Sequence, residues 1–218
     1  MSFSTQLSAH CEEYVHLSYG GYSFVLPYHL GGKNTPAQII KAISNWAGTA
    51  QKTKDEIQRY ITDNPASTGV DCSGLVYYAL NEASNGAVRT YFENKLNLPG
   101  RLTYAYGISA ANLTNTAYGT KITAAKNVKA GCVIRFDNGN HILVVDDILR
   151  DSKGNIKSIW YTHSNGSKGP HWGNITIGDT SKDLNDAAQT WNDSAYTDAT
   201  AKGYYNYTLQ LDCISKLV

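Results

Sequence analysis

The sequence predicts an α+β domain in which helices pack on a central antiparallel β-sheet. In the first half of the chain, apolar residues repeat at helical spacing, which indicates helices with one buried face. From residue 132 onward, short apolar runs alternate with tight polar turns, which is typical of antiparallel strands. Helices followed by strands, without regular alternation, favour the α+β class. No repeat or composition shift divides the 218 residues, so we predict one domain over residues 1–218.

The composition is that of an ordinary globular protein. Hydrophobic residues make up 42% of the chain and charged residues 17%, which excludes a disordered chain. The formal net charge is +1 and no run of Lys or Arg stands out, so no nucleic-acid partner is expected. No apolar run is long enough to span a membrane. The first residues lack the basic and apolar regions of a secretory signal, so we expect synthesis as a cytoplasmic protein.

The N-terminal part, residues 1–65, is predicted to be mainly helical. Residues 4–17 carry an amphipathic pattern, whereas residues 19–32 place aromatic side chains between glycine pairs, which predicts an irregular segment. Two further helices begin at capping boxes, in which a Thr at the helix start is followed three residues later by Gln or Glu. The two boxes are Thr35 with Gln38 and Thr53 with Glu56.

The next helix is predicted to begin at Cys72. Asp71 occupies the N-cap position, and the apolar residues that follow repeat at helical spacing. Free N–H groups and the helix dipole place partial positive charge at a helix start, which favours thiolate over thiol. We therefore predict a nucleophilic Cys72 with a lowered pKa. The alternative is a buried, unreactive cysteine, which is the more common role of a free cysteine.

Beyond this helix, residues 86–127 are predicted to be an insertion of mixed helix and loop. The remainder is predicted to consist of strands joined by turns, with one late helix. We predict strands at 132–136, 141–145, 156–163, 174–177 and 205–214, turns at 137–140 and 151–155, a loop at 164–173, and a helix from Asp179 or Thr180 that carries Leu184, Ala188 and Trp191.

Two histidines lie where predicted strands begin or end. His141 begins an apolar strand directly after a turn, and His163 ends the next strand. If these strands form a hairpin about the turn at 151–155, His163 lies beside residues 141–143. A nucleophile at a helix start, a base on a strand and an orienting group on the next strand form a catalytic triad. Asn165 and His171 are the alternatives to His163 as the third member.

These motifs together resemble the NlpC family of cell-wall peptidases, a branch of the papain-like superfamily. The run Asp71-Cys72-Ser73-Gly74-Leu75-Val76 is similar to the nucleophile motif of the family, and the strand that begins at His141 is similar to its second motif. His163 resembles the third polar member. The segment 27–32 resembles an aromatic-Gly-Gly stretch upstream of the cysteine. The order Cys, His, His argues against the circularly permuted acyltransferase relatives.

The chain also departs from the family pattern. Gly131-Cys132 stands where the family usually has Gly-Asp, and Leu30 precedes Gly31-Gly32 where the family has Trp-Gly-Gly. The segments before Cys72 and between residues 86 and 127 are longer than in a minimal family domain. Substrate preference therefore cannot be copied from the family.

The resemblance implies a papain-like NlpC-type fold and a cysteine peptidase that cleaves an amide bond in the stem or cross-link peptides of peptidoglycan, as a D,L-endopeptidase or amidase. It implies that Cys72 attacks the carbonyl, that His141 transfers the proton and that His163 orients His141. Substrate binding would involve Asp71, Ser73 and Tyr28, although helix capping alone explains Asp71 and Ser73 equally well. No metal and no cofactor are expected.

Two other interpretations remain open. One is a papain-like thiol hydrolase or acyltransferase that acts on an amide outside the cell wall, and the other is a catalytically silent binding module. For a wall hydrolase, three settings are open: a cytoplasmic recycling enzyme, a bacteriolytic toxin injected into rival bacteria, or a phage lysin. The last two reach peptidoglycan through a dedicated export machine or lysis. A muropeptide is the alternative substrate, and an immunity or inhibitor protein is a candidate partner.

Overall fold

The computed structural model describes residues 1–100, 102 and 107–218, and its centre is a seven-stranded antiparallel sheet. The strand order is β3-β9-β4-β5-β6-β7-β8, so β4 to β8 form a meander and β9 returns to lie between β3 and β4. A separate hairpin is formed by β1 and β2. The strands are β1 Leu17–Tyr19, β2 Tyr22–Phe24, β3 Gly119–Ile122, β4 Val133–Phe136, β5 His141–Arg150, β6 Ile156–Asn165, β7 Gly169–Ile177, β8 Gln189–Asp193 and β9 Tyr205–Leu211.

Most helices precede the sheet in the chain, and together with the antiparallel sheet they confirm the α+β class. The helices are α1 Phe3–Val15, α2 Pro36–Ala47, α3 Lys54–Asp63, α4 Pro65–Thr68, α5 Cys72–Ala83, α6 Ala87–Lys95, α7 Ala110–Leu113 and α8 Asp198–Tyr204. Within the described residues, no helix is both long enough and apolar enough to cross a membrane. The predicted insertion at 86–127 includes residues 101 and 103–106, which lie outside the described residues.

Both predicted capping boxes are present. The Thr35 hydroxyl accepts a hydrogen bond from the N–H of Gln38, and the Gln38 side chain accepts one from the N–H of Thr35. Thr53 and Glu56 make the same reciprocal pair at the start of α3. These bonds satisfy N–H groups that have no partner within the helix, which fixes the start of each helix at the predicted residue.

The sheet separates two apolar cores. Helices α1 and α5 pack on one side of the sheet, where Ile142 and Val144 of β5 meet them, and α2, α3 and α6 add their apolar faces to the same core. Leu143 and Val145 point to the other side and join a second core. Strand side chains alternate between faces, which explains why one short strand supplies both cores. The start of β5 therefore lies where the end of α5 that carries Cys72 meets the sheet.

Two predictions for residues 164–191 are wrong. The predicted loop at 164–173 is the end of β6, a tight turn and the first half of β7, with His163 paired directly to His171. The predicted helix at Asp179 is absent, and Gln189–Asp193 is instead strand β8. Side chains of Asp179 and Asp183 accept hydrogen bonds from nearby backbone N–H groups, which stabilises turns in competition with a helix.

A bulge interrupts β5 near its middle. Val145 pairs with Tyr161 and Asp147 with Trp160, so Asp146 is an extra residue on β5. The bulge leaves the Asp146 side chain buried, where one carboxylate oxygen accepts a hydrogen bond of 2.8 Å from Thr162. The other oxygen has no partner in the described part of the chain. The fold thus holds a carboxyl group in its interior outside the site described below.

Candidate active site

Cys72 lies in the first turn of α5, as predicted. The Asp71 side chain caps the helix by accepting a hydrogen bond of 2.7 Å from the N–H of Gly74. Cys72 is only 5% exposed, yet it lines an open groove on the surface. The position allows a substrate carbonyl to reach the sulfur while the rest of the residue stays fixed by the helix.

The segment before α2 packs closely against this helix start. The N–H of Asp71 donates to the carbonyl of Gly32, at 2.9 Å. The backbones of Tyr28 and Val70 form an isolated β-bridge. A Cβ atom at Gly74 would lie 2.8 Å from the oxygen of Gly32, so any larger residue at position 74 would push the segment away. The glycine therefore allows residues 28–33 to form one wall of the groove.

His141 is the first residue of β5, and its ring contacts His163. The Nε2 atom of His141 lies 2.8 Å from Nδ1 of His163. Val144 pairs with Thr162, so the predicted hairpin is present and places His163 beside the start of β5. The backbone N–H of Ile142, the next residue after His141, interacts with the Cys72 thiol and lowers its pKa. These contacts bring the sulfur beside the backbone at the start of β5 and the His141 ring against His163.

Asp193 completes this hydrogen-bonded chain, and the sequence did not predict it. Its buried carboxylate accepts four hydrogen bonds, so each of its lone pairs has a donor. The donors are Tyr161 Oη at 2.8 Å, His163 Nε2 at 3.0 Å, His171 Nε2 at 3.3 Å and the backbone N of Ala195 at 2.7 Å. Burial alone would raise the pKa of Asp193, but the bonds from His163 and His171 outweigh it and hold that pKa well below its usual range.

The ionised Asp193 determines which ring nitrogen carries the proton in His163 and in His141. A carboxylate only accepts hydrogen bonds, so Nε2 of His163 carries the proton. Burial lowers the pKa of His163, so its ring is neutral and Nδ1 is an acceptor. The Nε2 atom of His141 therefore donates to His163. Nδ1 of His141 is left without a proton, and it is the nitrogen able to act as a base.

The predicted low pKa of Cys72 is wrong for the free protein. Burial and the Asp71 carboxylate raise the pKa of the thiol to about 11, which outweighs the helix start, Ile142 and Lys33. Burial also lowers the pKa of His141 to about 3, with His163 and His171 contributing. The resting pair is therefore a neutral thiol and a neutral imidazole. The prediction from the position of Cys72 in the helix was wrong because it left out the free-energy cost of removing a thiolate from water.

The two alternatives to His163 have other roles. The side-chain oxygen of Asn165 accepts hydrogen bonds from the backbone N–H groups of Ser167 and Lys168 and so stabilises the turn between β6 and β7. His171 lies behind His163, where its Nδ1 contacts the carbonyl of Gly169 at 2.8 Å and its Nε2 contacts Asp193. Of the three candidates, His163 is the residue hydrogen-bonded to His141.

His163, His171 and Asp193 are also the group among the described residues whose ligand atoms lie close enough together to hold a metal ion. Both histidines and the carboxylate are nevertheless already hydrogen-bonded to one another. These hydrogen bonds compete with metal binding, because they use the same nitrogen and oxygen atoms that would be the ligands.

The groove at Cys72 has a volume of about 480 Å³, within the range of small-molecule and peptide sites. One wall is formed by residues 28–33 and the start of α5, and the other by residues 108–111 and the turn at Gly139 and Asn140. The three predicted substrate-binding residues all line it, namely Tyr28, Asp71 and Ser73.

A thiol at a helix start that lines a groove, next to a strand that carries an oriented imidazole, is an arrangement suited to acyl transfer. The chain matches no protein-family model, and no curated protein or solved structure is similar to it. Support for a function therefore comes from the geometry of the site and from the motifs.

Proposed function

We propose that the protein is a cysteine hydrolase with a papain-like NlpC-type fold that cleaves an amide bond in the stem or cross-link peptides of peptidoglycan. The observation that carries the proposal is the hydrogen-bonded chain from His141 through His163 to Asp193, because His141 directly precedes Ile142, whose backbone N–H contacts the Cys72 thiol. A protein that only bound peptides would need neither an ordered proton relay nor a thiol in its groove. The motif around Cys72 supports peptidoglycan as the substrate class.

The reaction begins from a neutral pair. As the Cys72 sulfur attacks the substrate carbonyl carbon, Nδ1 of His141 takes the thiol proton. The imidazolium that forms keeps its Nε2–H bond to His163, and the Asp193 carboxylate stabilises its charge through the His163 ring. His141 then donates the proton to the leaving amine as the C–N bond breaks. Water, activated by His141, hydrolyses the thioester and restores the thiol.

The backbone N–H of Cys72 is one candidate donor to the oxyanion. It lies in the first helical turn, where N–H groups have no helical acceptor, and it makes no hydrogen bond within the described part of the chain. A donor of this kind, placed where negative charge develops, contributes about 3 kcal/mol to lowering a reaction barrier. Rigid packing of residues 28–33 against the helix start keeps this donor in place.

The test is digestion of purified sacculi, with fragments identified by mass spectrometry. We expect new amino and carboxyl groups in peptide fragments while the glycan strands stay intact. Cys72→Ala should fold and give no fragments, because the nucleophile is lost. The matched control is Cys213→Ala, which removes a free thiol that does not line the groove and should cleave like the wild type.

An unchanged sacculus profile with the wild type would overturn the proposal. If such a protein still cleaved or transferred acyl groups on other amide substrates through Cys72, it would be a thiol hydrolase or acyltransferase that acts outside the wall. A protein that bound sacculi equally well with and without the Cys72 thiol, and never cleaved them, would be a binding module.

A further inference from the structure

We infer that the groove takes a substrate with no free ammonium group beside Cys72, so that the stem peptide is acylated at its amino terminus and still attached to the glycan. This inference rests on the proposed function and concerns the substrate class of the same site. The observation that carries it is how the two charged residues of the groove pair with each other.

Lys33 and Asp71 form an ion pair in the wall of the groove. The Lys33 ammonium donates to both carboxylate oxygens of Asp71, at 2.7 and 2.9 Å, and also to the Ser73 hydroxyl. An ammonium group has three N–H donors, so all of them are used. The side chains are 9% and 8% exposed, which places the pair away from bulk water.

The hydrogen-bond acceptors of the Asp71 carboxylate are also all in use. Besides the Lys33 ammonium, it accepts hydrogen bonds from the N–H groups of Gly31 and Gly74, and from the Ser73 hydroxyl at 3.1 Å. The carboxylate thus has no lone pair left for a substrate ammonium. The Ser73 hydroxyl is held between the two charges, since it donates its proton to Asp71 and accepts a hydrogen bond from Lys33.

The rest of the described groove lining carries no charge. Its other side chains are aromatic, aliphatic, thiol, hydroxyl or amide groups, and the remaining residues are glycines. A free ammonium that entered beside Cys72 would lose water without gaining a partner, or would have to break the buried ion pair.

In peptidoglycan, whether the stem peptide has a charged amino terminus depends on whether the peptide is still attached to the glycan. In the intact wall, the amino group of the first stem residue is in an amide bond to the sugar and is uncharged. A reaction that releases the peptide from the glycan exposes that group as an ammonium. We therefore place this hydrolysis before such a release reaction, on the wall itself, which favours a lytic setting over recycling of free peptides.

The test uses two synthetic peptides with the same sequence, the shortest stem peptide that contains the bond cleaved in sacculi. One has a free amino terminus and the other is N-acetylated. We expect the wild type to cleave the acetylated peptide with at least a tenfold higher kcat/KM at pH 6.5. The difference should shrink at pH 9, where an α-amino group has lost most of its charge.

Lys33→Met should lower this preference at least tenfold, because it removes the ammonium and frees Asp71 to bind that of the substrate. Lys33→Arg, which keeps the charge, is the matched control, and circular dichroism reports whether each variant folds. A wild type that cleaves sacculi but prefers the free amine would overturn this inference and leave the proposed function standing. A wild type that cleaves neither sacculi nor peptides would overturn the proposed function itself.

Discussion

At the scale of single residues, Asp193 determines the direction of the proton relay. The ionised carboxylate can only accept hydrogen bonds, so Nε2 of His163 must carry a proton. The neutral His163 then accepts from Nε2 of His141, which places the second proton. The ring of Tyr196 stacks on His163 with centroids 5.9 Å apart and limits rotation of the imidazole. The relay is therefore fixed by both hydrogen bonding and packing.

Replacing Asp193 with Asn should lower kcat by about 10²–10⁴-fold with little change in KM. An amide can donate to Nε2 of His163, which would reverse the tautomers of both histidines and place a proton on the His141 nitrogen that acts as the base. Steady-state kinetics on sacculi fragments measures the effect, with thermal unfolding as the check on folding. A variant as active as the wild type would remove Asp193 from the relay.

The neutral thiol predicts how Cys72 reacts with iodoacetamide. Because its pKa is raised to about 11, the alkylation rate should rise about tenfold per pH unit from pH 6 to pH 9, without a plateau at low pH. His141→Ala should change this profile little. Peptide mass spectrometry assigns the label to Cys72. A rate that stays constant below pH 7 in the wild type, and not in His141→Ala, would instead show a thiolate–imidazolium pair.

At the scale of elements, the bulge in β5 buries the carboxyl group of Asp146 in the interior of the protein. Burial raises the pKa of Asp146 from 3.8 to about 6, against the lowering effect of Thr162. The folded state therefore holds this proton more tightly than the unfolded chain. The stability that results is fully present below pH 3.8 and is lost as the pH rises through 6.

Asp146→Asn should stabilise the protein at pH 8 by about 1–3 kcal/mol, because a neutral amide replaces a buried carboxylate. The gain should disappear as the pH falls towards 4, where the wild-type carboxyl is also neutral. Urea unfolding at several pH values measures it. Asp147→Asn, on the exposed neighbour, is the control for removing a negative charge and should give a smaller gain at pH 8. If Asp146→Asn made the protein less stable than the wild type at pH 8, the prediction would be contradicted.

The elements that the sequence predicts well are those defined by local hydrogen bonding. The capping boxes, the start of α5 at Asp71 and the turn before His141 depend on neighbouring residues, so a short stretch of sequence is enough. The region from 164 to 193 is different, since its apolar residues fit a helix as well as a strand. Buried side chains at Gln189, Trp191 and Asp193 follow the period of two that indicates a strand.

At the scale of the whole molecule, the site draws on distant parts of the chain. The positions of Cys72, His141 and His163 in the fold were predictable because each lies in a motif or at a strand end. Asp193 and Lys33 were not, since a single Asp or Lys carries no local pattern and its role depends on tertiary contacts. The thiol pKa was also beyond prediction, because it depends on burial rather than on the position in the helix.

The place of Asp193 in the sheet affects how the protein would lose activity on warming. His141, His163, His171 and Asp193 lie on four neighbouring strands, and the last of these, β8, is at the end of the sheet. It pairs with a strand on one side only, and on its other side the backbone is bonded to the side chains of Asp198 and Lys202 in the short helix α8. Edge strands open locally at a lower free-energy cost than central ones. Local opening of the five-residue strand β8 would remove the Asp193 carboxylate from His163 while α5, which carries Cys72, stays folded. Thermal inactivation would then precede melting of the molecule.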